Sequence, residues 1–162
     1  MIDCFFESGK KVQLRHVTVD AIALNTDQTQ VLLIKRSPQM VQPNKYALPG
    51  GFLDRDETLA QGVLRELQEE TGYTGQILTP FCIVDTPQRN DENRQNINFV
   101  FLIKVDRQTS QPDPHEISSV HWFPLKKLPP ASQFAFDHHR LLSLYLQHRK
   151  KPFSPLPFFV SS

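Results

Sequence analysis

The sequence predicts an α+β fold, a mixed β-sheet with helices packed on it. Three observations point there. Several short runs rich in Val, Ile and Phe read as strands. Two stretches, ending near Glu70 and Arg149, space their apolar residues as helices do. Strands and helices do not alternate one for one, which argues against a doubly wound parallel sheet. A chain of 162 residues suits one domain, residues 1–162, with its core over about 12–148 and a Pro-rich tail from 150 to 162.

In chain order, Val12 to Leu24 reads as one or two strands, and Asn25 to Gln30 is turn chemistry, so a hairpin into Val31–Ile34 is expected. Ser37 to Lys45 is a loop, and Tyr46-Ala47-Leu48 leads into the turn Pro49-Gly50-Gly51. A helix is expected from about Thr58 to Glu70, with Asp54, Asp56 and Glu57 near its N-terminus, where carboxylates are favoured. Thr71-Gly72 stops it. Ile77 to Asp85 reads as a buried strand interrupted by Pro80, Gln88 to Gln95 as a polar loop, and Asn96 to Val105 as the strongest strand. Ile117 to Phe123 is a further strand. A second helix runs from Asp137 to about Arg149, its basic end suiting a helix C-terminus. The tail PFSPLPFFVSS is expected either to pack extended on the body or to reach a partner chain.

Net charge is +1, so no bulk field draws the chain to nucleic acid or to a membrane. No segment approaches the roughly 20 apolar residues of a membrane span, and the N-terminus has no signal-peptide run. Cys4 and Cys82 form no disulfide framework. These features predict a cytoplasmic protein.

The chemistry concentrates in Gly51 to Tyr73. At about 100° per residue, Glu66, Glu69 and Glu70 share an arc of roughly 100°, beside an apolar arc built from Leu59, Val63 and Leu67. Gly62 lies one turn before Glu66 on the acidic edge and is expected to leave room there. Three close carboxylates repel one another, and a divalent cation removes the repulsion. Oxygen ligands select Mg²⁺ or Mn²⁺ over softer metals. Arg65 is placed to pair with a carboxylate, and Glu57 to accept it if the preceding loop folds back. The Gly50-Gly51 turn lets a main-chain carbonyl approach a metal. The competing reading is a solvated acidic helix face.

The stretch resembles the Nudix box, whose pattern is G, five residues, E, seven residues, then R-E-U-x-E-E-x-G-U with U bulky and apolar. Gly51, Glu57 and Arg65-Glu66-Leu67-Gln68-Glu69-Glu70-Thr71-Gly72-Tyr73 meet every fixed position. Tyr73 is aromatic where an aliphatic residue is commoner. The strand Val31–Arg36, the run Tyr46–Gly51 and the run Val120–Leu125 resemble further parts of the family's fold. The resemblance implies a Nudix-type α/β/α sandwich with a mixed sheet and hydrolysis of a nucleoside diphosphate linked to another group X. It implies that Glu66, Glu69, Glu70 and the Gly51 carbonyl bind Mg²⁺ or Mn²⁺, with Arg65 and Glu57 orienting the carboxylates. Water attacks a phosphorus of the pyrophosphate, and a general base takes its proton. Glu116, just before the Ile117 strand, is a candidate base or further ligand; Glu69 is its main rival, followed by Asp91 and Glu92.

Several features resemble ADP-ribose pyrophosphatases, among them Lys35-Arg36, the run from Tyr46 to Phe52, and Phe136-Asp137-His138-His139. Arg36, Arg89 and Phe136 are candidate substrate contacts, although Asp137 equally suits an ordinary helix cap and Phe136 the core. Phe5, Phe6, Tyr46 and Phe81 are candidates to stack on adenine, and His138 and His139 are expected to be structural or solvated. The expected substrate is a small nucleotide, ADP-ribose or a related nucleoside diphosphate sugar. The rivals are a triphosphate or dinucleoside polyphosphate hydrolase and a non-catalytic nucleotide sensor. The intact box and the short stretch after Arg149, too brief for a helix-turn-helix, weigh against a sensor. A homodimer is a further expectation.

Overall fold

The computed structural model describes residues 2–87, 95–154 and 157–159. The chain opens with a hairpin, β1 (Ile2–Phe5) and β2 (Lys11–Leu14), which forms a two-stranded sheet of its own. It continues through β3 (Val17–Leu24), β4 (Gln30–Arg36), β5 (Tyr46–Ala47) and β6 (Gly50–Phe52) into helix α1 (Leu59–Thr71). Then come β7 (Tyr73–Val84), β8 (Ile97–Gln108), β9 (Ile117–Pro124), a 3-10 turn at Ala131–Gln133, helix α2 (His138–Lys150) and β10 (Phe158–Phe159).

The main sheet is mixed. It runs β10-β7-β8-β3-β4-β5, with β6 added to β3 and β9 to β4. Strands β3 and β8 are parallel, and β3–β4, β7–β8 and β4–β9 are antiparallel. After its first residue β3 is buried throughout, as a central strand covered on both faces must be. Its side chains alternate between two cores. Ile22 and Leu24 join Leu141, Leu142 and Tyr145 of α2. Val19, Ala21 and Ala23 join Val63 and Leu67 of α1. The result is the α/β/α sandwich with a mixed sheet that the sequence predicts.

The ends of α1 lie within a residue of expectation, and local chemistry explains both. Thr58 caps the N-terminus in a reciprocal box: its hydroxyl accepts from the Gln61 amide, and Gln61 Oε1 accepts from the Thr58 amide at 2.8 Å. Gly72 closes the helix in the left-handed region, φ 76°, with its amide donating to the Gln68 carbonyl. Asp137 stands at the cap position of α2 but makes no side-chain cap hydrogen bond.

Three expectations need correction. The N-terminal hairpin is not foreseen; its turn is carried by Gly9 at φ 76°. Strand β7 begins at Tyr73 and absorbs Pro80 through shifts in its pairing with β8, rather than breaking there. Phe81 is fully buried against Tyr145 and cannot meet a ligand, while Phe5 and Phe6 are exposed on or beside the hairpin. The tail returns as an extended segment, β10 pairing in parallel with β7. Among the described residues no helix is long and apolar enough to cross a membrane.

Candidate active site

The apolar face of α1 fixes how its acidic edge is presented. Val63 and Leu67 lock the helix on the sheet, which turns Glu66, Glu69 and Glu70 toward the end of β3 and the β6 strand. A cleft of about 510 Å³ opens there, lined by these three glutamates, by Gly50, Gly51 and Phe52, and across from them by Arg36, Glu116, Phe136 and His138. A second cavity of about 850 Å³ continues from the same glutamates and Glu116 toward the 110–114 loop.

Arg65 organises the carboxylates. Its five N–H groups are all engaged. Nε and Nη2 grip Glu57 Oε2 and Oε1 at 3.0 and 2.6 Å, Nη1 reaches Glu66 Oε1 and Glu69 Oε2 at 2.9 Å each, and Nη2 also reaches the Phe52 carbonyl at 3.0 Å. Glu57 folds back as expected and also accepts from the Asp54 amide at 2.8 Å. Gly62 serves this contact rather than leaving open space. A Cβ there would stand 2.9 Å from Glu57 Oε1 and from Leu53 Cδ1.

The three glutamates differ in environment. Burial raises the Glu66 carboxyl against the opposing pull of Arg65, and the Glu69 and Glu116 carboxylates push the same way as burial. Burial raises Glu70 well above the usual carboxylate range, opposed by the Gly50 amide, which donates to Oε2 at 2.8 Å. Hydrogen bonding from Arg65 holds Glu57 below its ordinary value. Arg65 itself is raised, first by Glu57, so its charge is permanent.

As the side chains stand, no three His, Cys, Asp or Glu groups among the described residues converge to hold an ion. Glu66 and Glu69 are turned to Arg65, and Glu70 to Gly50. The donor set nevertheless fits a hard divalent cation. It is all oxygen and carries an excess of negative charge. At Gly51 the main chain passes so close to Glu66 that no side chain fits between them.

The cleft is also lined by a polar network around His138 whose strand members, Thr18, Asp20 and Asn98, the sequence does not single out. Asp20 Oδ2 accepts from Asn98 Nδ2 at 2.5 Å, and Asn98 Oδ1 accepts from the Thr18 hydroxyl at 3.1 Å. His138 Nδ1 accepts from the Leu48 amide at 2.9 Å, which leaves its proton on Nε2, 3.5 Å from Asp20 Oδ2. All four side chains are buried. His138 is thus structural, as expected, while His139 packs on Phe134. The available signal was an Asp and an Asn inside otherwise apolar strands.

Of the candidate substrate contacts, Arg36 and Phe136 meet. The guanidinium carbon lies 5.1 Å from the ring centroid, and both residues line the cleft. Arg89, with Asp91 and Glu92, lies outside the described residues. Tyr46 is occupied by edge contacts with Phe123 and His121.

The chain is 31% identical over 132 residues to an ADP-ribose pyrophosphatase of Methanocaldococcus jannaschii, covering 81% of this chain and 73% of that protein. It is 30% identical over 130 residues to the ADPR responsive transcriptional repressor NtrR of Acinetobacter baylyi, covering 78% of this chain but only 51% of the repressor. Among solved structures, the NUDIX domain of Shewanella oneidensis NrtR complexed with ADP ribose superposes with a TM-score of 0.68 at 29% identity, covering 85% of this chain and 90% of that one. The model of the NUDIX domain matches residues 14–145. With its box intact at the mouth of the cleft, the chain belongs to the NUDIX domain family, as a Nudix pyrophosphohydrolase.

Proposed function

We propose that this chain, read as one domain, hydrolyses the pyrophosphate of a nucleoside diphosphate linked to X, with ADP-ribose the foremost substrate and AMP and ribose 5-phosphate its products. The observation that carries the reading is the cluster of Glu66, Glu69 and Glu70 facing Gly51 in one cleft, with Arg65 fully engaged beside them. Likeness to an ADP-ribose pyrophosphatase supports the choice of substrate.

In this reading Glu66, Glu69, Glu70 and the Gly51 carbonyl hold Mg²⁺ or Mn²⁺, and Arg65 with Glu57 orients them. When bound, the ions would neutralise the phosphate oxygens and make the attacking water more acidic. Arg65 Nη1 holds one oxygen each of Glu66 and Glu69 at the cleft, while the bidentate Arg65–Glu57 pair keeps the guanidinium in register. Glu116, exposed on the opposite wall, accepts the proton of the water or adds a ligand, with Glu69 as the alternative base. Arg36 contacts the phosphates or base, and Phe136 stacks on the nucleoside. The free thiols of Cys4 and Cys82 support a cytoplasmic setting. The exposed Phe5 and Phe6 support a homodimer, which light scattering would test.

A panel of ADP-ribose, ATP, dATP and diadenosine polyphosphates with Mg²⁺ tests the reading. The highest kcat/KM is expected for ADP-ribose, and a preference for a triphosphate or a dinucleoside polyphosphate overturns that assignment. A second reading, a sensor, draws on the likeness to the ADPR responsive repressor. Saturable ADP-ribose binding without turnover would favour it.

A further inference from the structure

One rim of the cleft holds an unusual concentration of left-handed backbone. Gln42 (φ 54°), Asn44 (φ 61°) and Phe136 (φ 52°) all have positive φ. Asn tolerates this conformation, but an aromatic residue adopts it only where the surroundings hold it there. The neighbours of Phe136 are tied to the β5 segment: the Ala135 amide donates to the Tyr46 carbonyl at 2.8 Å, and His138 accepts from Leu48 at 2.9 Å. The amide of Phe136 itself donates to Gln42 Oε1 at 3.0 Å, across the rim from a loop 94 residues earlier.

That loop also anchors Arg36. Its Nε donates to the carbonyl of Val41, the residue before Gln42, at 2.7 Å. The same few residues therefore fix both the guanidinium and the ring beneath it. The pair forms a cation-on-aromatic surface, with Met40 also lining the cleft. A surface of this kind binds a planar base by its face.

We propose that Gln42 is a positioning residue for base recognition: its side-chain oxygen holds Phe136 in the left-handed conformation, so that the ring and Arg36 form one wall of a slot for a purine base. The inference rests on the nucleotide reading above and deepens it. Gln42 touches Phe136, not the ligand. Its loss weakens the grip on the base without disturbing the carboxylates that face the pyrophosphate.

The test is binding of AMP by calorimetry, quenching of 1,N6-etheno-ADP-ribose fluorescence, and steady-state kinetics on ADP-ribose. Gln42→Ala and the near-isosteric Gln42→Met, which lacks the acceptor, should weaken AMP binding and raise KM by about tenfold, with kcat within about twofold. Gln42→Glu keeps an acceptor oxygen and should stay within about threefold of the wild type. Phe136→Leu should weaken AMP binding as much, and adding Gln42→Ala to it should cost nothing further. AMP binding unchanged in Gln42→Met while Phe136→Leu loses it removes Gln42 from the role. A wild-type chain that binds no AMP overturns the slot. A wild-type chain that binds AMP but leaves ADP-ribose intact fails the proposed substrate alone, and the binding series still decides the role of Gln42.

Discussion

The Cβ that Gly51 lacks would stand 2.5 Å from Oε1 of Glu66. The glycine is thus a steric condition on a carboxylate that lies 15 residues further along the chain. Gly51→Ala should push Glu66 away from the main chain and off Arg65. We expect a fall in kcat/KM of about 100-fold or more, since displacement of about 1 Å at a reacting centre already costs that much. The far-ultraviolet dichroism should be unchanged. An active Gly51→Ala protein would mean that Glu66 has slack that the geometry does not suggest.

Glu69 and Glu116 compete for the role of base, and their variants separate them. Glu69→Gln should lower kcat by about two orders of magnitude or more with the fold intact, because a metal or proton contact acts on the transition state. Glu116→Gln should do the same if Glu116 takes the proton or holds an ion. Near-wild-type turnover in Glu116→Gln beside a crippled Glu69→Gln assigns the proton to Glu69. Wild-type rates in both variants would remove both from the mechanism.

The buried carboxyl of Glu70 links stability to pH and to metal. Burial raises it well above its ordinary value, and Glu66 moves the same way. A raised folded-state pKa means that the stability these groups contribute is fully present below their unfolded value. It is lost as pH rises through the folded one. Glu57 is lowered and has the opposite sign, its stability being lost as pH falls. In EDTA, Tm should therefore decline as pH rises above the ordinary carboxylate range and Glu66 and Glu70 ionise. Mg²⁺ should restore Tm, and by more at higher pH, because the ligands bind as carboxylates. A Mg²⁺ effect on Tm that shrinks with rising pH would contradict this coupling.

Arg65 makes five hydrogen bonds from one planar group. Lysine has three donors and no fork. Arg65→Lys should release either Glu57 or the Glu66–Glu69 pair, costing about 1–3 kcal/mol. It should also slow turnover by about tenfold or more through misplaced carboxylates. Thermal unfolding and kcat measured on one preparation check both. A full rate at reduced Tm would confine Arg65 to a structural part.

The box was legible because each of its residues answers a local demand. Thr58 and Gln61 cap the helix reciprocally, Gly72 must take a left-handed conformation, and Glu57 returns to Arg65 over eight residues. The alternation of β3 between two cores is equally local. What was hidden depends on distant pairing. Asp20 and Asn98 meet because β3 and β8 run parallel, and His138 comes in from the start of α2. Gln42 meets Phe136 across a loop whose path no spacing rule gives. The role of Gly62 was misjudged because a helical wheel shows the free face but not the loop that fills it.

His138 joins α2 to the turn that presents Gly51. Its Nδ1 accepts from the Leu48 amide, and its Nε2–H lies toward Asp20, which Asn98 also holds. Leucine in its place would leave a buried amide without an acceptor, at about 1–3 kcal/mol. His138→Leu should therefore lower the urea midpoint with m unchanged. Glutamine, whose side-chain oxygen still accepts, should recover part of the loss. The Leu48 amide reports the mechanism directly: it should exchange with deuterium faster in His138→Leu than in the wild type, relative to amides in β3. If exchange at Leu48 follows β3 in both proteins, the stability loss comes from packing around the imidazole and not from its acceptor nitrogen.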